Sequence, residues 1–357
     1  CHIRRANPLL NWCMAQLHAS ERAAGPAQAG GWQDGADFRP RHIPVLLSET
    51  LDVLVPALDR DGARYLDGTL GLGGHAAAVL EAAPAARLCG LDRDGQALEL
   101  ARARLEPFAS RIDLFHLRYS CFEEALDELR WDRIDAALID IGVSSLQLDE
   151  ADRGFSFNSD GPLDMRMDQR AGRPSAWHWV NREHFAALKE CIATLGEEPQ
   201  AGRIARAIVE ARQKSPIDTT LQLAHIVEMA YPPAWRAKAR RHPATRTFQA
   251  LRMAVNDELG ELRRFLDAAM GRLRIGGRLA VITFHSLEDR LVKQSMRRWA
   301  EGCRCPRYVP RCVCGHVPEA RPLHRKPLTA RESEIAVNPR SSCAKLRAVE
   351  KIAEAVS

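Results

Sequence analysis

A glycine-rich turn between two apolar segments constrains the fold of this chain more than any other feature of its sequence. The turn, residues 68–74, follows an apolar segment that ends on Asp67, and a helical pattern continues from it. A second apolar segment, residues 87–91, is followed by Asp92. Glycines let a backbone approach a ligand closely, and a helix N-terminus offers free N–H groups. The pattern predicts a nucleotide-binding βαβ unit, in which the acid ending the second strand accepts hydrogen bonds from ribose hydroxyls.

Asp67 helps to distinguish between two kinds of cofactor. An acid before the glycines can reach the ammonium group of S-adenosylmethionine, whereas it would repel the pyrophosphate of NAD. Ala76 stands where dinucleotide-binding motifs have their last glycine, a position that tolerates alanine. The motif therefore favours S-adenosylmethionine. The alternatives are a turn without a ligand and an NAD-dependent dehydrogenase, which protection by NAD in a thermal melt would indicate.

Apolar runs alternate with helical patterns along much of the chain. This alternation predicts a Rossmann-like α/β fold, in which a parallel sheet is covered by helices on both faces. The predicted strands lie at residues 65–67, 87–92, 112–117, 134–140 and 277–284.

A long interval separates the last two predicted strands. A parallel crossover needs only about a dozen residues, so residues 148–243 are predicted to form an inserted helical domain that holds the substrate. Two of its segments, 204–211 and 221–231, have the spacing of amphipathic helices. A further helix, residues 247–273, is predicted to lead into the last strand.

These elements give a predicted domain organisation. Residues 39–147 and 244–357 form the two parts of the Rossmann-like domain, and the second part carries a basic C-terminal region. Residues 1–38 are rich in Ala, Gly and Gln and have no sustained period. We expect a disordered extension or a mis-assigned start there, with Met14 as another candidate start.

The composition is that of an ordinary soluble globular protein. Of 357 residues, 46% are hydrophobic and 27% are charged. No apolar run reaches the roughly 18 residues that a membrane span needs, and the first residues lack the apolar core of a secretory signal. The ten cysteines are unevenly spaced and do not resemble a disulfide framework. We therefore expect a cytoplasmic, reducing environment and no membrane partner.

Positive charge is concentrated in two regions. The net charge is only +5, but residues 290–347 contain 14 Lys and Arg against 4 Asp and Glu. Such clusters are often solvated surfaces, yet two of them in one nucleotide-binding chain favour a polyanionic partner. The second cluster consists of Arg236, Lys238, Arg240, Arg241, Arg246 and Arg252.

Three polar segments follow predicted strands. They are residues 67–75, 140–147 and 285–289, and all are rich in Asp, His, Ser or Gln. Ligands bind at the carboxyl ends of the strands in open parallel sheets. We therefore expect these three segments to meet at one site.

The same segments resemble the bacterial 16S rRNA (cytosine-N4)-methyltransferase family, of the RsmH or MraW type. The resemblance covers about residues 42–350 in the family's order, with Ile141 where leucine is usual. The matching motifs are the glycine turn through His75 and residues 42–49, 140–149, 153–157, 161–168, 242–252, 284–290 and 338–342.

The resemblance implies a function. A Rossmann-like domain with a helical insertion would transfer methyl groups from S-adenosylmethionine to N4 of cytosine 1402 in the decoding region of 16S rRNA. The partner would be the small ribosomal subunit, and whether the chain forms a homodimer is left open. A non-catalytic rRNA-binding assembly factor is an alternative, against which the set of Asp67, Gly71, Gly73 and Asp92 argues.

The resemblance also implies cofactor contacts. An aromatic residue after the third strand belongs to them, and here Tyr119 takes a place usually held by Phe, with Phe122 as the alternative. The other implied contacts are Gly73, Gly74, His75, Asp92, Asp140 and Gln147.

Methyl transfer to an exocyclic amine requires hydrogen-bond acceptors at that amine. The N4 lone pair of cytosine is delocalised into the ring, and acceptors for its N–H groups would localise it and stabilise developing positive charge. Asp140 and the turn carbonyls of residues 142–144 are candidates. His285 is a candidate base, with a structural histidine as the alternative. Guanidinium groups bind phosphates bidentately, and the substrate-binding candidates are Arg166, Arg246 and Arg340.

One cysteine pattern is not explained by methyl transfer. Cys303, Cys305, Cys312 and Cys314 form two C-x-C pairs separated by six residues. Four thiolates can bind zinc tetrahedrally, but C-x-x-C spacing is more usual. The sequence therefore assigns no metal, and a reduced cysteine-rich loop is the alternative to a zinc site.

Overall fold

A mixed sheet of eight strands forms the centre of the protein. In the computed structural model the strand order is β3-β2-β1-β4-β5-β8-β6, and β7 also pairs with β8. The strands are β1 Arg64–Asp67, β2 Arg87–Asp92, β3 Ile112–His116, β4 Ile134–Asp140, β5 Leu273–Thr283, β6 Ala320–Pro322, β7 Leu328–Thr329 and β8 Lys345–Lys351. The structure describes residues 44–169, 172–236, 239, 241–303, 305, 311, 314 and 316–354, so the predicted N-terminal extension 1–38 lies outside it.

Fourteen α-helices occur in the described part of the chain, and short 3-10 turns join several of them. They are α1 Leu47–Leu54, α2 Gly74–Ala82, α3 Gly95–Arg104, α4 Phe122–Glu128, α5 Ser145–Asp149, α6 Ala176–Arg182, α7 Phe185–Leu195, α8 Ala201–Lys214, α9 Thr220–Ala230, α10 Pro233–Arg236, α11 Thr245–Asn256, α12 Glu258–Arg272, α13 Ser286–Ala300 and α14 Glu332–Val337.

Two apolar clusters cover the two faces of the sheet. Along β4, Ala137 and Ile139 point into a cluster that also contains residues of α4, α12 and α13. Ala136 and Leu138 point into the opposite cluster, which contains residues of α1, α2 and α3. Successive residues of a strand face opposite sides, so a strand buried on both faces is apolar throughout. The predicted Rossmann-like α/β fold is confirmed.

The C-terminal part of the sheet differs from the prediction. Strands β1 to β5 pair in parallel. Strand β8 pairs antiparallel with β5, and β6 and β7 pair antiparallel with β8. The parallel pairing predicted for the first five strands is therefore confirmed, and the antiparallel edge was not predicted. Strand β8 has the sequence KLRAVEK, and its charged positions hid it from a search for apolar runs.

The single helix predicted over residues 247–273 is two helices. Asp257 separates α11 from α12 with a left-handed backbone, φ 51°. Asp tolerates this conformation better than most residues, and the Asp257 carboxylate also accepts a hydrogen bond from Arg264 at 2.7 Å. Strand β5 begins at Leu273, four residues before the predicted start.

A third apolar cluster lies among helices of the segment predicted as an insertion. It combines buried residues of α6, α7, α8 and α9 with Phe248, Leu251 and Val255 of α11. Helix α11 therefore packs with these helices, although the predicted boundary at residue 243 assigns it to the Rossmann-like part. The boundaries of the insertion stay a prediction.

Among the described residues, no helix combines the length and the apolar character that a membrane crossing requires.

Candidate active site

A cleft opens at the carboxyl ends of the parallel strands, where the sequence predicts ligand binding. It has an empty volume of about 1180 Å³, continuous with solvent. The turn after β1 lies on one side and the turn after β4 on the other, and Phe284 follows β5 in the wall. Of the predicted cofactor contacts, those that line the cleft are Gly74, His75, Asp92, Tyr119, Asp140 and Gln147.

Asp92 is held in position by two backbone amides. Its Oδ2 accepts from the Gly71 N–H at 2.7 Å, and its Oδ1 accepts from the Asp94 N–H at 2.8 Å. Burial raises the pKa of Asp92, and these two hydrogen bonds oppose the rise. A carboxylate has about four lone-pair sites, so two acceptor positions are left for ribose hydroxyls.

The glycines shape the turn after β1. Gly71 and Gly73 have φ of 52° and 74°, in the left-handed region that favours glycine. A Cβ on Gly74 would lie 2.6 Å from Pro44 Cγ. Gly73 is not among the residues that line the cleft; it precedes the first residue of α2. Gly73 therefore contributes to the turn through its left-handed backbone conformation.

His75 and Asp140 approach each other across the cleft floor. His75 Nε2 lies 2.9 Å from the Val45 carbonyl oxygen, and its Nδ1 lies 3.7 Å from Asp140 Oδ2. Burial raises the pKa of Asp140 to about 8, with Asp67 and Glu288 adding to the effect. Its Oδ1 is buried without a hydrogen-bond partner. A buried, unpartnered carboxylate oxygen is costly, and a cationic ligand group would remove that cost.

Asp67 does not line the cleft. It is 1% exposed, and its carboxylate accepts from the Tyr65 hydroxyl and the Thr69 N–H, both at 3.2 Å. Burial raises its pKa to about 7. The expectation that Asp67 reaches a ligand ammonium is therefore corrected, because the turn that it stabilises covers it.

Gln147 is fixed by a buried network that the sequence did not reveal. Its Nε2 donates to Asp94 Oδ2 at 2.9 Å, and its Oε1 accepts from the Ser144 N–H at 3.2 Å. Arg153 donates to the same Asp94 oxygen at 2.9 Å. Asp94 precedes α3 and caps it by accepting from the Gln96 N–H, a position at which Asp is preferred. In the sequence, the signal for Asp94 is this capping position before α3.

Tyr119 lines the cleft, whereas Phe122 does not. Tyr119 is 6% exposed, and its ring lies edge-on to Phe265 at 5.8 Å between centroids. Phe122 is fully buried and packs against the same ring from within the core. Of the two candidates that the sequence left open, packing therefore favours Tyr119.

His285 lies behind the cleft wall, not in it. It is 5% exposed, begins α13, and has its Nε2 2.9 Å from Glu288 Oε1. Glu288 Oε2 accepts from the Phe284 N–H at 3.1 Å. Possible ligand atoms of Glu258, His285 and Glu288 lie within 4.8 Å of one another, all buried. This placement favours a structural histidine over a base that touches substrate.

The three arginines predicted to bind substrate occupy different environments. Arg166 makes two hydrogen bonds to Asp164, at 2.7 and 2.9 Å, and lines a small pocket separate from the cleft. Arg246 lies 3.7 Å from Glu198. Arg340 lines the cleft and pairs with Asp149 at 3.1 Å. Of the three, only Arg340 belongs to the cleft.

The cleft fits S-adenosylmethionine, which joins an adenosine to a positively charged amino-acid tail. Asp92 offers acceptors for the ribose, Tyr119 an aromatic surface, and Asp140 a buried oxygen without a partner. Neutral or cationic groups of the ligand would meet the carboxylates of Asp92 and Asp140 in the cleft. A pyrophosphate would instead be repelled by Asp92 and Asp140.

Comparison with known proteins agrees with this fit. The model of the MraW methylase family matches residues 39–352. The protein named Ribosomal RNA small subunit methyltransferase H of Desulfovibrio desulfuricans is 72% identical over 314 residues, which cover 88% of this chain and 95% of that protein. Its namesake in Nitratidesulfovibrio vulgaris is 68% identical over 312 residues, 87% of this chain and 95% of that protein.

Solved structures are more distant. An rRNA methylase from Streptococcus thermophilus covers 86% of this chain and 94% of that chain, at 14% identity and a TM-score of 0.34. A likeness of this degree supports no argument about the site. The family match covers most of the chain, and it agrees with S-adenosylmethionine as the cofactor that the cleft fits. The chain therefore belongs to the MraW methylase family, and its cofactor is S-adenosylmethionine.

Proposed function

We propose that this chain methylates the exocyclic N4 of cytosine 1402 in the 16S rRNA of the small ribosomal subunit, in the cytoplasm. Membership of the MraW methylase family supports a methyl transfer, and the names of its relatives point to small-subunit rRNA. The resemblance of the motifs supports the particular base and atom. The observation that carries the proposal is the cleft, which combines a fit for the methyl donor with backbone acceptors at residues 142–144.

The residues at the cleft have separate parts in this proposal. Bound S-adenosylmethionine supplies an electrophilic methyl group on its sulfonium. Asp92 orients the ribose and Asp140 holds the cationic amino-acid tail. Gly142 is exposed and lines the cleft with Val143 and Ser144, and carbonyl groups of this turn would accept from the N4 amine and stabilise developing charge. Positioning of this kind supplies much of the acceleration of an in-line displacement.

His285 and Glu288 act as positioning residues in this scheme. Glu288 accepts from the backbone N–H of Phe284 at 3.1 Å, and Phe284 lies against Gly142, whose Cβ position would be 3.3 Å from the ring. The buried pair therefore holds the wall against which the turn of residues 142–144 packs. The target cytosine must leave its stack to enter the cleft.

Nucleoside analysis tests the proposal directly. Small subunits from cells that lack this activity are incubated with the protein and labelled S-adenosylmethionine, and the products are identified by mass spectrometry. We expect N4-methylated cytidine at position 1402, and much less product with Asp92→Ala when S-adenosylmethionine is limiting. A methyl group on another base or atom would overturn the assignment of the target.

A further inference from the structure

We infer that Cys303, Cys305 and Cys314 bind a structural zinc ion. The sulfur atoms of these three residues lie within 4.8 Å of one another. The distance between Cys303 Sγ and Cys314 Sγ is 3.9 Å. Zinc–sulfur bonds of about 2.3 Å in a tetrahedron place two sulfurs about 3.8 Å apart. The thiols are thus already spaced as zinc ligands.

The loop that carries these cysteines needs a stabilising element of its own. It leaves the end of α13 and returns beside it, since the Glu319 N–H donates to the Trp299 carbonyl oxygen at 2.8 Å. From Glu301 to Pro318, the described positions form no helix or strand and none is buried. Long loops without secondary structure are uncommon. The described part of the loop buries no apolar side chain, so hydrophobic packing does not account for the conformation of that part.

A metal ion would provide that stabilisation. A cross-link between Cys303 and Cys314 closes a loop and reduces the entropy of the unfolded chain, and zinc binding contributes directly to folding free energy. The Cys305 N–H points at Cys303 Sγ, at 3.4 Å. Hydrogen bonds from backbone amides favour the thiolate form that binds metal.

Zinc fits the donor set better than other metals. Thiolate sulfurs select zinc, copper(I) or iron–sulfur clusters, and a tetrahedral sulfur set is typical of zinc. These three thiols leave the fourth coordination position for a water molecule or another ligand. Cys312, the remaining cysteine of the sequence pattern, lies outside the described residues.

The site is structural and not catalytic. Helix α13 has 15 residues, which makes it roughly 22 Å long. Its first turn adjoins the cleft wall at Phe284, and the cysteines follow its last turn. Zinc removal should therefore lower the stability of the loop and leave cofactor affinity unchanged within about twofold.

Metal analysis of the full chain tests the inference. The protein is produced without an affinity tag in zinc-supplemented medium, purified under reducing conditions, and its metals are measured by mass spectrometry. We expect about one zinc per chain, and its loss in Cys303→Ser and Cys314→Ser. Cys121→Ser is the matched control, because Cys121 is a half-buried thiol outside the loop, and it should keep the zinc.

Two further measurements make the result unambiguous. Cobalt(II) added to the metal-free protein should give the thiolate charge-transfer absorption of a tetrahedral site, and both loop variants should lack it. Calorimetry with S-adenosylmethionine shows whether the variants are folded. Three outcomes would overturn the inference: wild-type protein without zinc or cobalt uptake, a disulfide between Cys303 and Cys314 that persists without metal, or bound iron in place of zinc.

Discussion

Asp92 illustrates how a single side chain links the turn after β1 to the proposed cofactor. Its carboxylate accepts from the N–H groups of Gly71 and Asp94 and keeps acceptor positions for a ribose. Both hydrogen bonds come from residues near it in the fold's first βαβ unit. The sequence spacing was therefore sufficient to place Asp92 in the cleft, and its contact with the ribose stays a prediction.

Replacing Asp92 should weaken cofactor binding. In Asp92→Ala, two ribose hydroxyls lose a charged partner, and S-adenosylmethionine affinity should fall by about 1.5–3 kcal/mol. Calorimetry measures the change, and a thermal melt confirms folding. Asp113→Ala is the control, because Asp113 lies on the adjacent β3 and pairs with Arg87. Equal affinities for both variants would show that Asp92 does not bind the ribose.

Asp140 should make stability depend on pH. Burial raises its pKa to about 8 in the folded protein, against about 3.9 for an unfolded Asp. The folded state therefore binds more protons between these values. Its contribution to stability is complete below about pH 4 and is lost as pH rises through about 8.

The comparison of Asp140→Asn with the wild type isolates this effect. We expect the free energy of unfolding, from urea titrations at pH 5, 7 and 9, to fall less with pH in the variant. Asp132→Asn, at an exposed position, should keep the wild-type slope. Parallel curves for wild type and Asp140→Asn would mean that Asp140 ionises normally.

The segment between α5 and α6 shows how elements depend on backbone geometry. Its short 3-10 turn ends at Gly154, with φ 71°, and this turn carries Arg153 into the buried network with Asp94. A Cβ at Gly154 would lie 2.1 Å from the Pro162 carbonyl oxygen. The turn therefore accepts only glycine, and the sequence pattern alone gave no sign of this requirement.

Gly154→Ala should destabilise the protein much more than Gly172→Ala. Both glycines have positive φ, 71° and 64°, but nothing lies within 4 Å of a Cβ at Gly172. The left-handed conformation costs each variant about 1–2 kcal/mol. Overlap with backbone should add roughly 1–3 kcal/mol at Gly154. Urea unfolding measures both, and similar losses would show that the chain around Gly154 relaxes.

At the scale of the whole molecule, the fold places arginines of the basic C-terminal region in different environments. Arg340 lies at the cleft, whereas Arg347, in the same basic region, is on β8 and donates to Asp289 at 2.6 and 3.2 Å. Burial would raise the pKa of Asp289, but Arg347 and Lys345 lower it overall. The basic C-terminal region, which the sequence assigned to a polyanionic partner, therefore uses part of its charge in ion pairs within the fold.

Salt dependence should separate the two arginines. Binding to the small subunit should weaken as salt rises, with each phosphate contact adding about 0.7 to 0.9 to the log–log slope. Arg340→Ala should reduce the slope by about one contact, and Arg347→Ala should leave it unchanged. Filter-binding titrations at several salt concentrations give the slopes. Equal slopes for wild type and Arg340→Ala would remove Arg340 from the RNA interface.

Local patterns determined most of the Rossmann-like part of the protein. The predicted strands 87–92 and 134–140 agree with β2 and β4, because a buried strand is apolar throughout. The glycine turn and Asp92 were also recognisable from the sequence alone. Their geometry depends on residues within one βαβ unit, and short-range spacing records it.

Only the tertiary structure decided the remaining features, because they depend on contacts between distant residues. Arg153 and Asp94 are 59 positions apart, and no periodicity links them. Strand β8 is charged at four of its seven positions, and its pairing with β5 identifies it. The placement of His285 behind the cleft wall likewise follows from packing. Burial, which sets the cost of each charge and the use of each side chain, is a property of the folded chain and not of its local sequence.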